Sequence, residues 1–258
     1  MRQNPPISPD WLTARPIAHR GLHDAALGVI ENSANAATAA IAHGFAIECD
    51  VQLTRDGEAV VFHDFGLERL TDQTGLVSAY SARELSHIPL RHSTDSIMAL
   101  PAFLAMLEGR VPLVLEIKSR FDGDLRLTQR VAEIVKSHSG PVALKSFDPN
   151  CVAALRKLTP NHPRGIVAMG DYNYPDYAHM THEQKHSMAN LLHFDETQPD
   201  FVSWRVRDLP SAAPFLCRAA LGLPLMTWTV RTDADRAIAA AHADQMVFEG
   251  FIPESIKA

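Results

Sequence analysis

Short apolar runs alternate with segments of helical periodicity along almost the whole chain. Such alternation is typical of parallel strands that are joined by crossover helices. The segments predicted to be strands are Pro16–His19, Ala46–Leu53, Ala59–Phe62, Pro112–Ile117, Val142–Leu144, Gly165–Ala168, Phe201–Trp204, Leu225–Val230 and Gln245–Phe248. The segments predicted to be helices are Ser33–His43, Leu125–His138, Pro149–Leu158, Pro210–Leu221 and Asp233–Ala243.

The second and third predicted strands are separated by Thr54-Arg55-Asp56-Gly57-Glu58. An Asp-Gly pair between two apolar runs indicates a β-hairpin, because glycine accepts the positive φ that the turn requires. One hairpin strand then need not belong to the main sheet, and eight strands remain. Their number and the chain length favour an α/β fold of the TIM (β/α)8 barrel type over an open doubly wound sheet.

The chain is predicted to form a single domain over residues 1–258, with a lid or small subdomain at about 64–100. That segment follows the N-terminal hairpin and has few helical periods. A chain of 258 residues with 46% hydrophobic residues is long enough for one large core. The sequence has no repeat of fixed period, so it does not indicate a solenoid.

Charge and cysteine content exclude several classes of protein. The formal net charge is -6 and no segment is strongly basic, so we expect no nucleic-acid partner. Cys49, Cys151 and Cys217 are scattered and odd in number, which favours a reducing compartment over a disulfide framework.

Residues 1–13 lack the apolar run of a secretion signal, and no apolar stretch approaches about 18 residues. We therefore expect a cytoplasmic protein without stable membrane association; its oligomeric state is not determined by the sequence.

Two acidic residues lie in the apolar run Ile47-Glu48-Cys49-Asp50-Val51. Because side chains alternate along a strand, Glu48 and Asp50 share one face and Cys49 points to the other. Neighbouring carboxylates on a half-buried strand repel each other and need a cation. Carboxylate oxygens suit Mg²⁺ or Ca²⁺, so these residues are predicted metal ligands. The alternative is a solvent-facing edge strand, which the apolar flanks disfavour.

The hairpin adds a histidine to this prediction. If Asp56-Gly57 is a two-residue turn, Arg55 pairs with Glu58, and continued pairing brings Asp50 opposite His63. His63 would then lie on the same face as the carboxylates. A histidine in that position is a candidate acid–base catalyst.

Two further predicted strand ends carry matching groups. His19 and Arg20 end the first strand, and Glu116 and Lys118 share one face at the end of Pro112–Ile117. The carboxyl ends of the strands build the active site of a TIM barrel. Three carboxylates suit a divalent metal, two cations suit an anion such as phosphate, and two histidines suit acid–base work. The residue types therefore indicate metal-assisted hydrolysis of a phosphate ester.

The order of these motifs resembles the glycerophosphodiester phosphodiesterase family. The resemblance extends from about Ile17 to Pro253 and is densest before Gly75. It implies a TIM barrel that hydrolyses small glycerophosphodiesters to sn-glycerol 3-phosphate and an alcohol. The matching segments are His19-Arg20-Gly21, Glu31-Asn32-Ser33, Ile47-Glu48-Cys49-Asp50-Val51, Leu53-Thr54-Arg55-Asp56-Gly57, His63-Asp64, Leu115-Glu116-Ile117-Lys118, Ser146-Phe147-Asp148 and Thr227-Trp228-Thr229-Val230.

The resemblance also implies a role for individual residues. His19 and His63 match the acid–base pair, and Glu48, Asp50 and Glu116 match the ligands of Mg²⁺ or Ca²⁺. Arg20 and Lys118 match the cations that contact the phosphate, and Glu31 lines the same site. Phe147 and Trp228 match apolar residues near the glycerol. The family commonly ends its last strand with Thr-Asp-x-Pro, whereas this chain has Phe248-Glu249-Gly250-Phe251-Ile252-Pro253. We expect that departure to affect closure of the pocket and alcohol preference rather than the chemistry. The sequence leaves open which alcohol is released, which metal is bound, and which histidine is the acid.

Three other functions compete with this interpretation. His182-Glu183-Gln184-Lys185-His186 fits the H-E-x-x-H motif of zinc proteases. However, His193 is one residue too late to supply the third ligand of the extended motif, so a solvated helix is favoured. A barrel that only binds an anion or a partner would not need two histidines. A lipid-directed phosphodiesterase would need an apolar loop or basic patch for membrane docking, and the sequence shows neither.

Overall fold

The computed structural model describes residues 5–253, and eight parallel strands within them close into a barrel. The first barrel strand pairs with both the second and the last, which closes the sheet. The predicted TIM barrel is therefore confirmed. In chain order the strands are β1 (Ile17–Ala18), β2 (Ala46–Leu53), β3 (Ala59–Val61), β4 (Met98–Ala99), β5 (Leu113–Ile117), β6 (Val142–Ser146), β7 (Arg164–Ala168), β8 (Phe201–Arg205), β9 (Leu225–Val230) and β10 (Gln245–Phe248), of which β3 and β4 lie outside the barrel.

Helices connect the strands, and several of them pack on the outer face of the barrel. They are α1 (Ala34–Ala42), α2 (Ala82–Leu85), α3 (Leu100–Leu107), α4 (Arg126–Lys136), α5 (Pro149–Leu158), α6 (His182–Ala189), α7 (Phe194–Thr197), α8 (Ala212–Ala219) and α9 (Asp233–His242). The main core lies between barrel and helices, where Ile47 and Leu115 of the strands join one apolar cluster with Phe103, Val131 and Leu155 of the helices. No helix between residues 5 and 253 is long and apolar enough to cross a membrane.

The hairpin of β2 and β3 forms as predicted, but its register differs by one residue. Val51 pairs with Val61, so Asp50 lies opposite Phe62, whose N–H donates to the Asp50 carbonyl oxygen at 3.0 Å. The prediction that Asp50 lies opposite His63 is wrong. The turn contains three residues rather than two, because the Thr54 N–H already bonds the Glu58 carbonyl oxygen at 2.9 Å. Gly57, with φ of 81°, supplies the left-handed residue that ends such a turn.

Alternation along the strands divides the barrel interior into two levels. The lower level is apolar and includes Ala46, Val114, Ala143, Phe201 and Val247. Two residues further along each strand, the same inward face carries Glu48 on β2, Glu116 on β5 and Lys145 on β6. Polar side chains therefore meet at the carboxyl ends of the strands, above an apolar floor.

The segment at 64–100 has a small apolar core of its own. Leu67, Val77, Leu85 and Ile97 are buried there against Phe62, at the end of the hairpin. At its end, β4 pairs with β3 in antiparallel fashion and extends the hairpin to three strands. Its role as a lid stays a prediction. The predicted domain of residues 1–258 also includes 1–4 and 254–258, which lie outside the described residues.

The apolar floor gives a test of the packing. A Cβ atom at Gly165 would overlap the Phe201 ring. We expect Gly165→Ala to lower the free energy of unfolding by about 1–3 kcal/mol, the usual cost of overpacking a core. Urea unfolding would measure this, with Phe201→Leu as the matched background because the smaller side chain makes room for the methyl group. An equal cost of Gly165→Ala in both backgrounds would contradict this packing.

Candidate active site

Three buried carboxylates converge where β2 and β5 run side by side. Asp50 is in register with Glu116, and Glu48 lies two residues before Asp50 on the same face. One oxygen from each of the three carboxylates lies within 4.8 Å of the others. The sequence-predicted ligand set is therefore brought together. Cys49 points into the outer core as predicted, where burial, followed by the neighbouring carboxylates, raises the pKa of its thiol.

Two lysines compensate the charge of the carboxylates. Lys145 Nζ lies 3.0 Å from Glu48 Oε1 and 3.2 Å from Glu116 Oε2. Lys118 Nζ lies 2.8 Å from Asp50 Oδ1 and also contacts Glu116. Burial by itself would raise the pKa of Asp50, but the positive charges, led by Lys118, hold it well below its usual value. The three carboxylates are therefore closely balanced by the two ammonium groups.

Lys145 is a site residue that the sequence interpretation missed. The strand was predicted to end at Leu144, whereas β6 continues to Ser146. Ala143 and Lys145 share the inward face of that strand, so one more residue of strand would have placed the ammonium group beside the carboxylates. The sequence signal for Lys145 was the alternation of inward-facing residues along the strand, continued one residue beyond Leu144.

Arg20 and Asn32 reach the triad from left-handed backbone, with φ of 58° and 56°. Arg20 Nε lies 3.3 Å from Asp50 Oδ2, and the Arg20 N–H donates to Glu48 Oε2 at 3.2 Å. Asn32 donates from Nδ2 to Asp50 Oδ2 at 2.9 Å and accepts from the Asp50 N–H at 3.1 Å. Ser33, not Asn32, caps α1, by accepting from the Ala36 N–H. Asn32 is thereby left to orient Asp50.

Glu31 lies beside the triad and joins two arginines. It accepts from Arg20 Nη1 at 2.6 Å and from both terminal nitrogens of Arg69, at 2.9 and 2.7 Å. Burial opposes ionisation, but the hydrogen bonds from Arg69 and the charge of Arg20 lower the pKa of Glu31 to about 2. Arg69, from the inserted segment, was not predicted. It ties that segment to the site through Glu31 and Asp64.

Each predicted catalytic histidine has a carboxylate partner at Nδ1. His19 Nδ1 lies 2.7 Å from Glu249 Oε2, and His63 Nδ1 lies 2.6 Å from Asp64 Oδ1. Hydrogen bonds from His63 and Arg69 outweigh burial and lower the pKa of Asp64. An ionised carboxylate only accepts, so Nδ1 carries the proton and Nε2 is the free acceptor in the neutral ring. In both histidines, Nδ1 is bonded to a carboxylate and Nε2 is left available.

Glu249 is a third residue, after Lys145 and Arg69, whose contact with the site was not predicted from the sequence. It accepts from His19 and also from Arg231 Nη2 at 2.8 Å. Burial would raise its pKa, yet the hydrogen bond and charge of His19, together with Arg231, lower the pKa of Glu249 to about 2. The segment that departs from Thr-Asp-x-Pro therefore contacts a predicted catalytic residue. Its expected effect on closure of the pocket and on alcohol preference stays a prediction.

Aromatic side chains form a wall on another side of the site. The rings of Phe147 and Trp228 meet edge to face with centroids 5.4 Å apart, so the two predicted apolar residues are brought together. Tyr177, which was not singled out, lies 6.3 Å from Phe147. Burial, followed by the negative charge of Glu116, raises the pKa of Tyr177 to about 12. Tyr177 therefore interacts electrostatically with Glu116 of the triad.

The H-E-x-x-H motif forms an ordinary exposed helix. It lies on α6, which begins with a capping box between Thr181 and Gln184. His182, Glu183 and His186 are all exposed. Within residues 5–253, Glu48, Asp50 and Glu116 form the only group of three side chains with metal-ligand spacing. The geometry therefore gives the zinc-protease alternative no third ligand.

Comparison with known proteins agrees with this geometry. The Glycerophosphoryl diester phosphodiesterase family matches residues 19–252. The chain belongs to this family. It is 29% identical to the glycerophosphodiester phosphodiesterase of Bacillus altitudinis over 140 residues, which cover 50% of this chain and 57% of that relative. Matches of this kind span less than two thirds of the length of the curated relatives.

Solved structures of glycerophosphodiester phosphodiesterases share the fold. A phosphodiesterase of Oleispira antarctica, solved in complex with the product sn-glycerol-3-phosphate, superposes with a TM-score of 0.73 at 20% identity, covering 92% of this chain and 94% of that one. The glycerophosphodiester phosphodiesterase of Agrobacterium tumefaciens superposes with a TM-score of 0.66 at 23% identity, covering 90% of this chain and 94% of that one. Both likenesses support the TIM barrel as the fold of this family member.

Removal of Lys145 tests the charge balance of the site. Lys145→Met leaves Glu48 and Glu116 buried without their shared cation, so we expect the free energy of unfolding to fall by about 3–5 kcal/mol. Urea unfolding with a chelator present would measure this. The control Lys136→Met changes an exposed lysine on α4 and should cost no more than about 0.5 kcal/mol. Equal costs for the two variants would show that Lys145 does not balance the carboxylates.

Proposed function

We propose that this protein hydrolyses glycerophosphodiesters to sn-glycerol 3-phosphate and an alcohol, with the help of a divalent metal. The observation that carries the proposal is the convergence of three carboxylates, two carboxylate-bonded histidines and several cations at the carboxyl end of the barrel. Membership of the family supports the substrate class. The product bound to the related Oleispira protein agrees with it.

The residues at the site fit a divalent cation. Glu48, Asp50 and Glu116 would hold it, and three carboxylates form the oxygen-rich donor set that Mg²⁺ and Ca²⁺ prefer. When bound, the cation would supply charge stabilisation to the phosphate oxygens. Each carboxylate already contacts Lys118, Lys145 or Arg20, so the cation competes with charges of the chain itself.

The chain's own cations and histidines can perform the displacement at phosphorus. Arg20 and Lys118 are the proposed contacts for the phosphate oxygens, since both reach the triad and keep partly exposed side chains. Of His19 and His63, one deprotonates the attacking oxygen while the other protonates the alcohol oxygen as its bond to phosphorus breaks. Acid–base help of this kind is typically worth roughly 10²–10⁴-fold in rate.

The remaining proposed contacts orient the substrate. Glu31 holds Arg20 and Arg69 in place through hydrogen bonds at the edge of the site. Phe147 and Trp228 offer an edge-to-face apolar wall against which the carbon chain of glycerol would lie. The sn-glycerol-3-phosphate bound to the Oleispira antarctica phosphodiesterase supports a small-molecule substrate. The cytoplasmic location stays a prediction from composition.

Release of glycerol 3-phosphate from glycerophosphocholine and glycerophosphoethanolamine tests the proposed activity. The assay is run after chelation and again with Mg²⁺ or Ca²⁺ restored. We expect metal-dependent release, and we expect His63→Ala to lower kcat by roughly 10²–10⁴-fold, because the acid–base group is lost. His182→Ala is the matched control, since it removes an exposed histidine outside the site.

The outcomes separate the two candidate centres. Retained activity in His63→Ala would contradict the proposed acid–base role. Failure of the folded protein to release glycerol 3-phosphate with either metal would remove these two substrates. Cleavage of peptides with Zn²⁺, lost in His182→Ala, would instead favour the motif on α6.

Glu249 is proposed to position His19. Glu249→Gln keeps an oxygen near Nδ1 but removes the negative charge, so the ring is oriented less strongly and its imidazolium form is less stabilised. We expect kcat to fall by roughly tenfold to 100-fold, while KM stays within about twofold. Steady-state kinetics on the diester that the protein hydrolyses best would measure the split.

Two companion variants distinguish positioning from simple loss of structure. Glu249→Asp keeps the charge and should retain more activity than Glu249→Gln. Arg231→Met removes the outer partner of Glu249 but leaves the bond to His19, so kcat should change little. A uniform loss in all three variants would contradict the positioning role.

A further inference from the structure

Arg120 lies at the mouth of the site, beside two of the proposed functional residues. It follows Lys118 by two positions on the loop after β5, and its guanidinium lies over the ring of Phe65, 4.4 Å from the centroid. Phe65 in turn follows His63 by two positions. Two residues of chain span at most about 7.6 Å between Cα atoms, so the pair borders the site. It joins the loops after β3 and β5.

The charge of Arg120 is not used within the described chain. No ion pair or hydrogen bond among residues 5–253 involves its guanidinium, and its side chain is exposed. Nearby carboxylates are bonded elsewhere: Asp64 to His63 and Arg69, and Asp122 to the N–H of Asp124. By contrast, Arg205 and Arg231 each pair with a carboxylate. Arg120 therefore offers a full set of donors to a ligand.

The loop that carries Arg120 is fixed on both sides of it. The Ser119 hydroxyl donates to Asp148 Oδ2 at 2.6 Å and accepts from the Phe121 N–H at 2.9 Å. The Phe121 ring packs edge to face against Tyr177 with centroids 6.0 Å apart. The backbone is thus held at the mouth, and the stack on Phe65 limits the arginine side chain. Such preorganisation lowers the entropy cost of binding.

The ring of Phe65 bears on selectivity as well. An exposed aromatic face beside a binding site would attract a quaternary or primary ammonium group through its quadrupole. Here Arg120 already occupies a face of that ring. A cationic group on the substrate could not stack on that face of the Phe65 ring, and the positive charge of Arg120 would repel it.

We propose that Arg120, stacked on Phe65, forms a subsite for the alcohol portion of the substrate and selects alcohols that carry an anionic group, such as a carboxylate or phosphate. This inference rests on the proposed phosphodiesterase activity. The pair borders the site where β3 and β5 end, whereas the wall proposed for glycerol comes from β6 and β9. A guanidinium forms paired, charge-assisted hydrogen bonds with planar anions, which a neutral or cationic alcohol does not offer.

The test uses diesters of glycerol 3-phosphate whose alcohols are matched in length and differ in charge. The alcohols are 3-hydroxypropanoate, propanol and ethanolamine, which are anionic, neutral and cationic. We expect kcat/KM to decrease in that order. The anionic substrate should exceed the neutral one by about five- to tenfold, the range between an exposed ion pair and a charged hydrogen bond.

Variants assign the preference to Arg120. Arg120→Met keeps an unbranched apolar side chain without the charge. It should abolish the advantage of the anionic ester, while the neutral ester stays within about twofold. The cationic ester should improve, because the Phe65 ring becomes accessible, and adding Phe65→Leu should cancel that improvement. Arg126→Met is the matched control, since Arg126 is an exposed arginine already paired with Asp124. It should leave the order of the three esters unchanged.

The outcomes distinguish this inference from the activity on which it rests. Hydrolysis of all three esters without a charge preference, or a preference that survives in Arg120→Met, would overturn the subsite and leave the phosphodiesterase intact. An equal loss on all three esters in Arg120→Met would show a structural role and would also overturn it. Absence of hydrolysis of every ester by folded protein would overturn the proposed activity, and the subsite with it.

Discussion

Burial of Glu48, Asp50 and Glu116 near the carboxyl ends of β2 and β5 is the constraint to which the surrounding structure responds. Carboxylates this close together and this deeply buried would be protonated or would destabilise the fold if they stood alone. Lys145 meets them from β6, Lys118 from the residue that follows β5, and Arg20 from the loop after β1. The resulting cluster is nearly neutral yet strongly polar, which suits a site for a metal and a phosphate.

The neighbouring loops are built around this cluster. Arg20 and Asn32 adopt left-handed backbone, which is uncommon for residues with a side chain, and both are held there by bonds to the triad. Glu31 then links Arg20 to Arg69 of the inserted segment. The insertion is thereby connected to the centre by charge, although its own core of apolar residues is separate from that of the barrel.

The two histidines show how one arrangement is obtained from different parts of the chain. Asp64 is the next residue after His63, so their contact is local. Glu249 is 230 residues away from His19, and β10 brings them together only because it closes the barrel against β1. Barrel closure thus completes a contact that orients a functional side chain, in addition to removing the open edges of the sheet.

The sequence by itself determined the α/β class and favoured the barrel, because eight apolar strands separated by helical segments bury both faces of a parallel sheet. It also determined that Glu48 and Asp50 share a face, since strand alternation is a local property. Their meeting with Glu116 follows from the parallel pairing of β2 with β5. The hairpin register was decided by one extra turn residue, which local Asp-Gly preference did not reveal. Tertiary structure alone decided the contacts of Arg69 and Glu249, because each joins segments distant in the chain. The contact of Lys145 depended on where β6 ends, which the apolar run did not reveal. Their positions depend on strand ends, loop paths and barrel closure, and these are set by packing rather than by local pattern.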